Sequence, residues 1–195
     1  MKSSVIIFVL LSVLSYTQTQ YNHSIWGGAG VGVGYMKSSN SNSCINLSAS
    51  LNYKTGNNNF SISYLDSREL LSFDNPTEYV KSVELKYGRS IDFTIRGLLL
   101  PFPFLLIVDK DFNYSIIGKI GLSYNEGRER TTLFKDESFG NRYDSRIITG
   151  FGLPVEIELR EEITSFLGMG LSFYLNSNRV KTLAGVNLNL YTGRF

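Results

Sequence analysis

Residues 45–54 read INLSASLNYK, and apolar and polar residues alternate there at every position. A β-strand sends successive side chains to opposite faces, whereas an α-helix repeats about every 3.6 residues. The stretch is therefore predicted to be a strand with one apolar face. The same strict alternation returns in residues 167–174 and 184–191.

The rest of the chain carries the same period of two with more irregularity. Five further strands are predicted, at residues 24–35, 59–65, 80–91, 113–125 and 143–159. No internal repeat or linker divides them, and no stretch combines a helix cap with an apolar helical stripe. Eight strands is an even number, as in single-chain bacterial outer-membrane barrels. The predicted fold class is all-β, an eight-stranded antiparallel up-and-down β-barrel.

A secretory signal peptide is predicted before the barrel. Lys2 is followed by a ten-residue apolar run at 5–14 and a small, polar stretch at 15–20. This order is typical of a cleaved export signal, and the apolar run is shorter than the roughly 20 residues that a membrane-spanning helix needs. We therefore divide the chain into a signal peptide, residues 1–19, and a barrel domain, residues 20–195.

The composition narrows the functional class. The net charge is only +2, so there is no basic field to attract nucleic acid, and none is predicted as a partner. The single cysteine, Cys44, does not fit the disulfide framework of small secreted eukaryotic domains. An exported chain with one cysteine favours the bacterial envelope.

Period two alone does not decide which face of the barrel is outside. A membrane barrel turns its apolar face outward, and a soluble lipocalin-like barrel turns it inward. The polar face here is mostly Gly, Ser and Asn, which suits a crowded lumen better than a highly charged, water-facing surface. Tyrosines on the apolar face near strand ends are typical of an aromatic girdle at the membrane boundary. The predicted girdle residues are Tyr35, Tyr53, Tyr64, Tyr87 and Tyr124.

The few charged residues on the polar faces are predicted to form a network inside the lumen, because buried charges need partners. Its predicted members are Glu84, Lys86, Lys119, Glu156, Glu158 and Arg160. Two of these carboxylates share a face and would suit acid–base chemistry, but the chain offers no supporting constellation. The only histidine, His23, is predicted to lie in a solvated tail before the first strand. No catalytic, cofactor-binding or metal-binding residue is predicted.

The glycine run GGAGVGVG at residues 27–34 resembles a phosphate-binding loop only superficially. Such a loop needs a strand before it and a helix after it, and neither is predicted here. The run is interpreted as a strand whose inward face leaves room for larger neighbours.

The lengths of the connections between strands predict which end of the barrel faces the outside of the cell. Short turns are predicted at residues 55–57 and 160–163, and longer polar loops, expected outside the cell, at 67–77 and 126–142. The charged stretch 126–137 is interpreted as a solvated outer loop, or as a contact site for a partner. One connection departs from this scheme. Residues 97–108, GLLLPFPFLLIV, are expected to extend two strands, lie along the membrane interface or pack over the barrel mouth.

Three motifs carry a resemblance to a known family. They are TGFGLPVE at residues 149–156, FLGMGL at 166–171 and LAGVNLNLYTGRF at 183–195. The chain resembles the small predicted outer-membrane β-barrel proteins of Gram-negative bacteria, of the uncharacterised eight-stranded type. The resemblance implies localisation in the cell outer membrane, contact with outer-membrane lipid and recognition by the barrel-assembly machinery during biogenesis.

The C-terminus departs from the assembly signature of that family, which places apolar residues at alternate positions counted back from the last Phe. Phe195 and Tyr191 comply, whereas Asn187 and Asn189 do not. A β-bulge near Gly193 would restore the register.

Three functions are considered. The first is a non-enzymatic outer-membrane barrel with a side-chain-filled lumen and a structural or loop-mediated binding role. The second is a soluble periplasmic lipocalin-like barrel that binds a small apolar ligand, and the third is a lipid-modifying barrel enzyme. The sequence specifies no ligand, cofactor or oligomeric state.

Overall fold

A computed structural model describes residues 23–36, 43–70, 77–96, 111–136 and 140–194. The predicted signal peptide, the apolar segment 97–108 and Phe195 lie outside these ranges. Eight strands form one closed barrel in chain order, each antiparallel to its neighbours, which confirms the predicted fold class. The strands are β1 (His23–Met36), β2 (Ser43–Thr55), β3 (Asn58–Glu69), β4 (Tyr79–Arg96), β5 (Asp111–Asp136), β6 (Gly140–Glu162), β7 (Leu167–Asn178) and β8 (Leu183–Arg194).

The apolar faces point outward and the polar faces point into the lumen. On β5, Leu122 is 65% exposed while its inward neighbour Ser123 is buried. On β4, Leu85 is 60% exposed while Glu84 is buried. This arrangement is the reverse of a lipocalin-like barrel. Within the described ranges, no helix is both long and apolar enough to cross a membrane.

We call the end where β1 begins and β8 ends the terminal end, and the opposite end the distal end. At the terminal end, β2 and β3 are joined by a tight turn in which Gly56 has a φ of 56°, a backbone conformation that favours glycine. The other short turn lies after Glu162 and not at the predicted residues 160–163, because β6 continues to that residue.

The strands differ greatly in length, and this corrects the predicted outer loops. β7 and β8 have 12 residues each, whereas β5 has 26 and β6 has 23. Residues 126–142 were expected to form a loop, but residues 126–136 continue β5 and residues 140–142 begin β6. β3 likewise runs to Glu69, into the loop predicted at 67–77.

The longest strands form a projecting hairpin at the distal end. The last pair between β5 and β4 is Arg128 with Tyr79, and the last pair between β6 and β7 is Gly152 with Asn178. Beyond these pairs, β5 and β6 continue to pair with each other as far as Asp136, which is opposite Gly140. We call residues 129–136 and 140–151 the distal hairpin.

Glycines on the inward face of β1 allow neighbouring side chains to lie against its backbone. A Cβ atom at Gly30 would lie 2.0 Å from Oδ1 of Asn189, and one at Gly32 would lie 2.0 Å from the backbone oxygen of Val186. The predicted role of the glycine run is therefore confirmed.

Two apolar clusters lie in the lumen, one towards each end. The terminal plug consists of Trp26, Ile117 and Tyr191. The distal plug consists of Met36, Cys44, Leu65, Val80, Val180 and Leu183. Cys44 is thus a buried, reduced thiol.

The predicted bulge near Gly193 is wrong. The pairing of β1 with β8 runs in unbroken register from Met36 opposite Leu183 to Ile25 opposite Arg194. Leu188 and Leu190 point outward, and Asn187 and Asn189 point into the lumen. The apolar positions of the last strand therefore stay one residue out of step with the family signature.

Candidate functional site

Strand alternation and register bring the predicted lumen charges together. Glu84 and Lys86 are two residues apart on β4, so both point inward. Lys119 on β5 lies directly opposite Glu156 on β6. Because β4, β5 and β6 are consecutive in the barrel, their inward charges share one side of the lumen.

Five of the charged residues form a chain that alternates in sign. Nζ of Lys86 lies 2.8 Å from Oε2 of Glu84 and also binds Glu156. Nζ of Lys119 lies 3.0 Å from Oε1 of Glu156 and also binds Glu158. We call the five residues Glu84, Lys86, Glu156, Lys119 and Glu158 the lumen ion chain. Each member is buried or nearly so, and each cation contacts two carboxylates.

Three neutral side chains donate hydrogen bonds to the Glu84 carboxylate. Ser63 on β3 donates a hydrogen bond of 3.0 Å to Oε2. Ser82 on β4 and Asn176 on β7 donate to Oε1 over 3.2 and 3.0 Å. Through Asn176 the lumen ion chain is tied to β7, which is not a neighbour of β4 in the barrel. Such a buried polar network stabilises the fold when its members are hydrogen-bonded.

Arg160, the sixth predicted member, lies in a separate cluster at the terminal end. Its guanidinium carbon is 4.1 Å from the centre of the Trp26 ring, a cation–π contact, and Nη2 is 3.3 Å from Oγ of Ser115. Ser115 donates a hydrogen bond of 2.7 Å to Asp92, which accepts another of 2.6 Å from Lys54. This cluster lies at the terminal end of the barrel, next to the Trp26 ring of the terminal plug.

Sequence reasoning missed a buried ion pair at the distal end. Nζ of Lys181, between β7 and β8, binds Glu78, which precedes β4 and is fully buried. Both residues lie outside the strands, so alternation gave no signal for them. Only the closure of the barrel brings these two connections together.

A small polar cavity of about 40 Å³ lies beside the lumen ion chain. Its lining includes Ser48, Ser63, Lys86, Glu158 and Asn187. A polar cavity of this size has room for at least one water molecule. Among the described residues, no cluster of His, Cys, Asp and Glu is arranged to hold a metal ion. The geometry suits a rigid, hydrated filling of the barrel.

The five predicted girdle tyrosines all lie on the outward face but do not form one ring. Tyr53 and Tyr87 flank Phe60, with ring centres 6.4 and 5.2 Å apart, and make a row close to the terminal end. Tyr64 and Tyr124 lie on either side of Val83, farther towards the distal end. The remaining tyrosine, Tyr35, is near the distal end of β1.

His23 does not lie in a tail, as the sequence analysis expected. It is the first residue of β1, pairs with Thr55 and stacks on the Tyr53 ring at 5.7 Å. Its Nδ1 is 2.8 Å from the Tyr53 hydroxyl. The pairing with β2, which the local sequence does not reveal, orders this residue as part of the aromatic row.

Solved structures share this architecture at low sequence identity. Ail, the attachment invasion locus protein of Yersinia pestis, matches with a TM-score of 0.55 and 12% identity, over 90% of this chain and 100% of that chain. Neisserial surface protein A matches with a TM-score of 0.55 and 10% identity, over 89% and 97%. Ail in complex with the heparin analogue sucrose octasulfate gives 0.52 and 13%, over 90% and 100%. No protein-family model and no curated protein matches the chain. At these identities the similarity establishes the fold, and the chain has the eight-stranded barrel fold of these outer-membrane proteins.

Proposed function

We propose that the chain is a non-enzymatic β-barrel of the bacterial outer membrane that displays the distal hairpin outside the cell. The observation that carries the proposal is the orientation of the faces. Large apolar side chains cover the outward surface around the barrel, and the lumen ion chain lies inside. A continuous outward apolar surface of this kind is costly in water and is the expected surface in a bilayer.

The filled lumen supports a structural or binding role for the barrel. The lumen ion chain occupies the middle of the barrel, and an apolar plug lies towards each end. Eight-stranded barrels have an interior just wide enough for side chains to fill. Any binding role is then assigned to the distal hairpin, whose mixed charges suit a polar partner.

The proposed orientation follows from export and from the turns. The terminal end carries tight turns between β2 and β3 and between β6 and β7, which suits the periplasmic side. Outer-membrane lipid would then surround the apolar face, and the barrel-assembly machinery would insert the chain. Because β8 places its apolar residues out of step with the usual signature, we expect slower assembly than for a chain with the regular pattern.

The first experiment is fractionation of the full chain expressed in a Gram-negative host. We expect it to pellet with outer membranes, to resist a carbonate wash and to migrate differently on gels before and after boiling. Release as a soluble protein whose mobility does not change on boiling would reject the proposal and return the soluble periplasmic barrel to first place.

A pair of variants tests whether lipid or water surrounds the outward face of the barrel. Leu122 lies in the middle of the outward face of β5, so Leu122→Arg should destabilise an inserted barrel by about 2–4 kcal/mol. Thr192→Arg, exposed close to the terminal end, should cost less than about 1 kcal/mol. The stability of each variant is measured by urea unfolding in lipid vesicles, with the heat-dependent gel shift as the readout of the folded fraction. Equal stability of the two variants would argue against insertion.

A further inference from the structure

Arg89 is a charged residue on the part of the barrel surface that is otherwise apolar. It points outward from β4, between Tyr87 and Ile91, which are 45% and 70% exposed. Within the described part of the chain, the Arg89 guanidinium forms no ion pair or hydrogen bond. In a membrane, an arginine at such a position is tolerated near the interface and needs a counterion there.

The surroundings of Arg89 leave space for a headgroup. The residue directly opposite on β5 is Gly118, and a Cβ atom there would meet nothing within 4 Å. On the other side Arg89 is opposite Asn58 of β3. The Tyr87 hydroxyl donates a hydrogen bond of 2.8 Å to Oδ1 of Asn58, which leaves the amide nitrogen of Asn58 as a second donor beside Arg89.

An apolar groove begins at Tyr87 and extends away from Arg89 over the outward face. It has a volume of about 520 Å³ and very little polar lining. Its walls include Leu51, Phe60, Ile62, Leu85, Ile120 and Leu122. Tyr53 and Tyr87 lie at its terminal end, in the aromatic row, whose amphipathic rings suit a membrane boundary.

We propose that this surface binds one phospholipid of the periplasm-facing leaflet, with its phosphate on Arg89 and an acyl chain in the groove. A guanidinium offers two parallel N–H donors that match a phosphate, and the contact is charge-assisted. Apolar side chains along the groove match a hydrocarbon chain, and the aromatic row lies where the chain meets the headgroup. The inference rests on the proposed function, since it requires the terminal end to face the periplasm.

The test is native mass spectrometry of the full chain purified in detergent, titrated with phosphatidylglycerol. We expect a one-to-one adduct that Arg89→Gln weakens about tenfold, because a charge-assisted contact is lost. Gly118→Leu should weaken it too, by filling the headgroup space. Arg146→Gln removes an exposed arginine of the distal hairpin and should leave the adduct unchanged. Diacylglycerol with the same chains should bind as weakly as phosphatidylglycerol binds to Arg89→Gln.

Two results would overturn the inference. One is equal phosphatidylglycerol binding by the wild-type chain and Arg89→Gln, and the other is equal binding of phosphatidylglycerol and diacylglycerol. Displacement of the adduct by inorganic phosphate at equal concentration would also reject it, because the acyl chain would then contribute nothing. The heat-dependent gel shift of each variant shows that it is folded. A failure of the proposed function appears in the fractionation experiment and is thereby distinguished.

Discussion

At the scale of single residues, the lumen shows which contacts follow from side-chain type and from the alternation of inward and outward positions along a strand. Glu84, Lys86, Lys119, Glu156 and Glu158 occupy inward positions on three consecutive strands, so their meeting was predictable from alternation. Arg160 has the same parity as Glu158 but contacts Trp26. The contact forms because Trp26 points inward from β1. Trp26 comes within reach of Arg160 on β6 only when the barrel closes.

Replacement of Lys119 tests the lumen ion chain. Lys119→Met would leave Glu156 and Glu158 with less compensation in a buried site, so we expect the free energy of unfolding to fall by about 3–5 kcal/mol. It is measured as the urea midpoint of the heat-dependent gel shift in vesicles. Lys54→Met is the control, because its partner Asp92 is half exposed, and it should cost less than about 1 kcal/mol. Equal losses would mean that the lumen ion chain contributes no more than an ion pair with one half-exposed partner.

Two glycines provide a second comparison at this scale. Gly32→Ala would place a Cβ atom 2.0 Å from a backbone oxygen of β8, so the strand must move and the stability should fall by about 3 kcal/mol. Gly118→Ala adds the same atom where nothing lies within 4 Å, and should change stability by less than about 0.5 kcal/mol. The same urea titration measures both variants. A tolerated Gly32→Ala would show that β1 and β8 are packed less closely than described.

At the scale of elements, the sequence predicted where strands exist better than where they end. Alternation is enforced only where one face meets lipid and the other meets the lumen. β5 and β6 extend past the ends of their outer neighbours β4 and β7 in the distal hairpin. The stretch 126–137 mixes charges of both signs and therefore reads as a loop, although β5 continues through Asp136. β1 and β2, predicted at residues 24–35 and 45–54, lie within two residues of their observed bounds.

Epitope insertion tests the direction in which the distal hairpin points. A short tag after Ser138, in the connection between β5 and β6, should be labelled by antibody on intact cells. The same tag after Gly56, in the turn between β2 and β3, should be labelled only after the outer membrane is opened. Labelling of the Gly56 tag alone on intact cells would mean that the barrel has the opposite orientation.

At the scale of the whole molecule, the sequence predicted a closed barrel but not what fills its two ends. The terminal and distal plugs, and the ion pair of Glu78 with Lys181, join residues that are distant in the chain and irregular in pattern. Such contacts depend on the register of all eight strands, and no local pattern encodes that register. The placements considered for residues 97–108 remain predictions, because these residues lie outside the described ranges.

Ion conductance tests whether the filled lumen stays closed. With plugs towards both ends and the ion chain between them, the purified barrel should give no stepwise currents in planar bilayers. A porin inserted from the same detergent serves as the positive control. Stable unitary steps from the wild-type chain would show that the lumen opens and that the barrel is a channel.

Trp26 is the single tryptophan of the chain, and its position makes its fluorescence a probe of barrel closure. It lies on the first strand opposite Gly193 of the last strand, and its indole packs against Tyr191. Its fluorescence emission should therefore shift to the blue, and become inaccessible to acrylamide, only when the two ends of the chain meet. Contacts between such distant residues form slowly. Stopped-flow refolding followed at this one fluorophore would time the closing step of the barrel separately from its adsorption to the membrane.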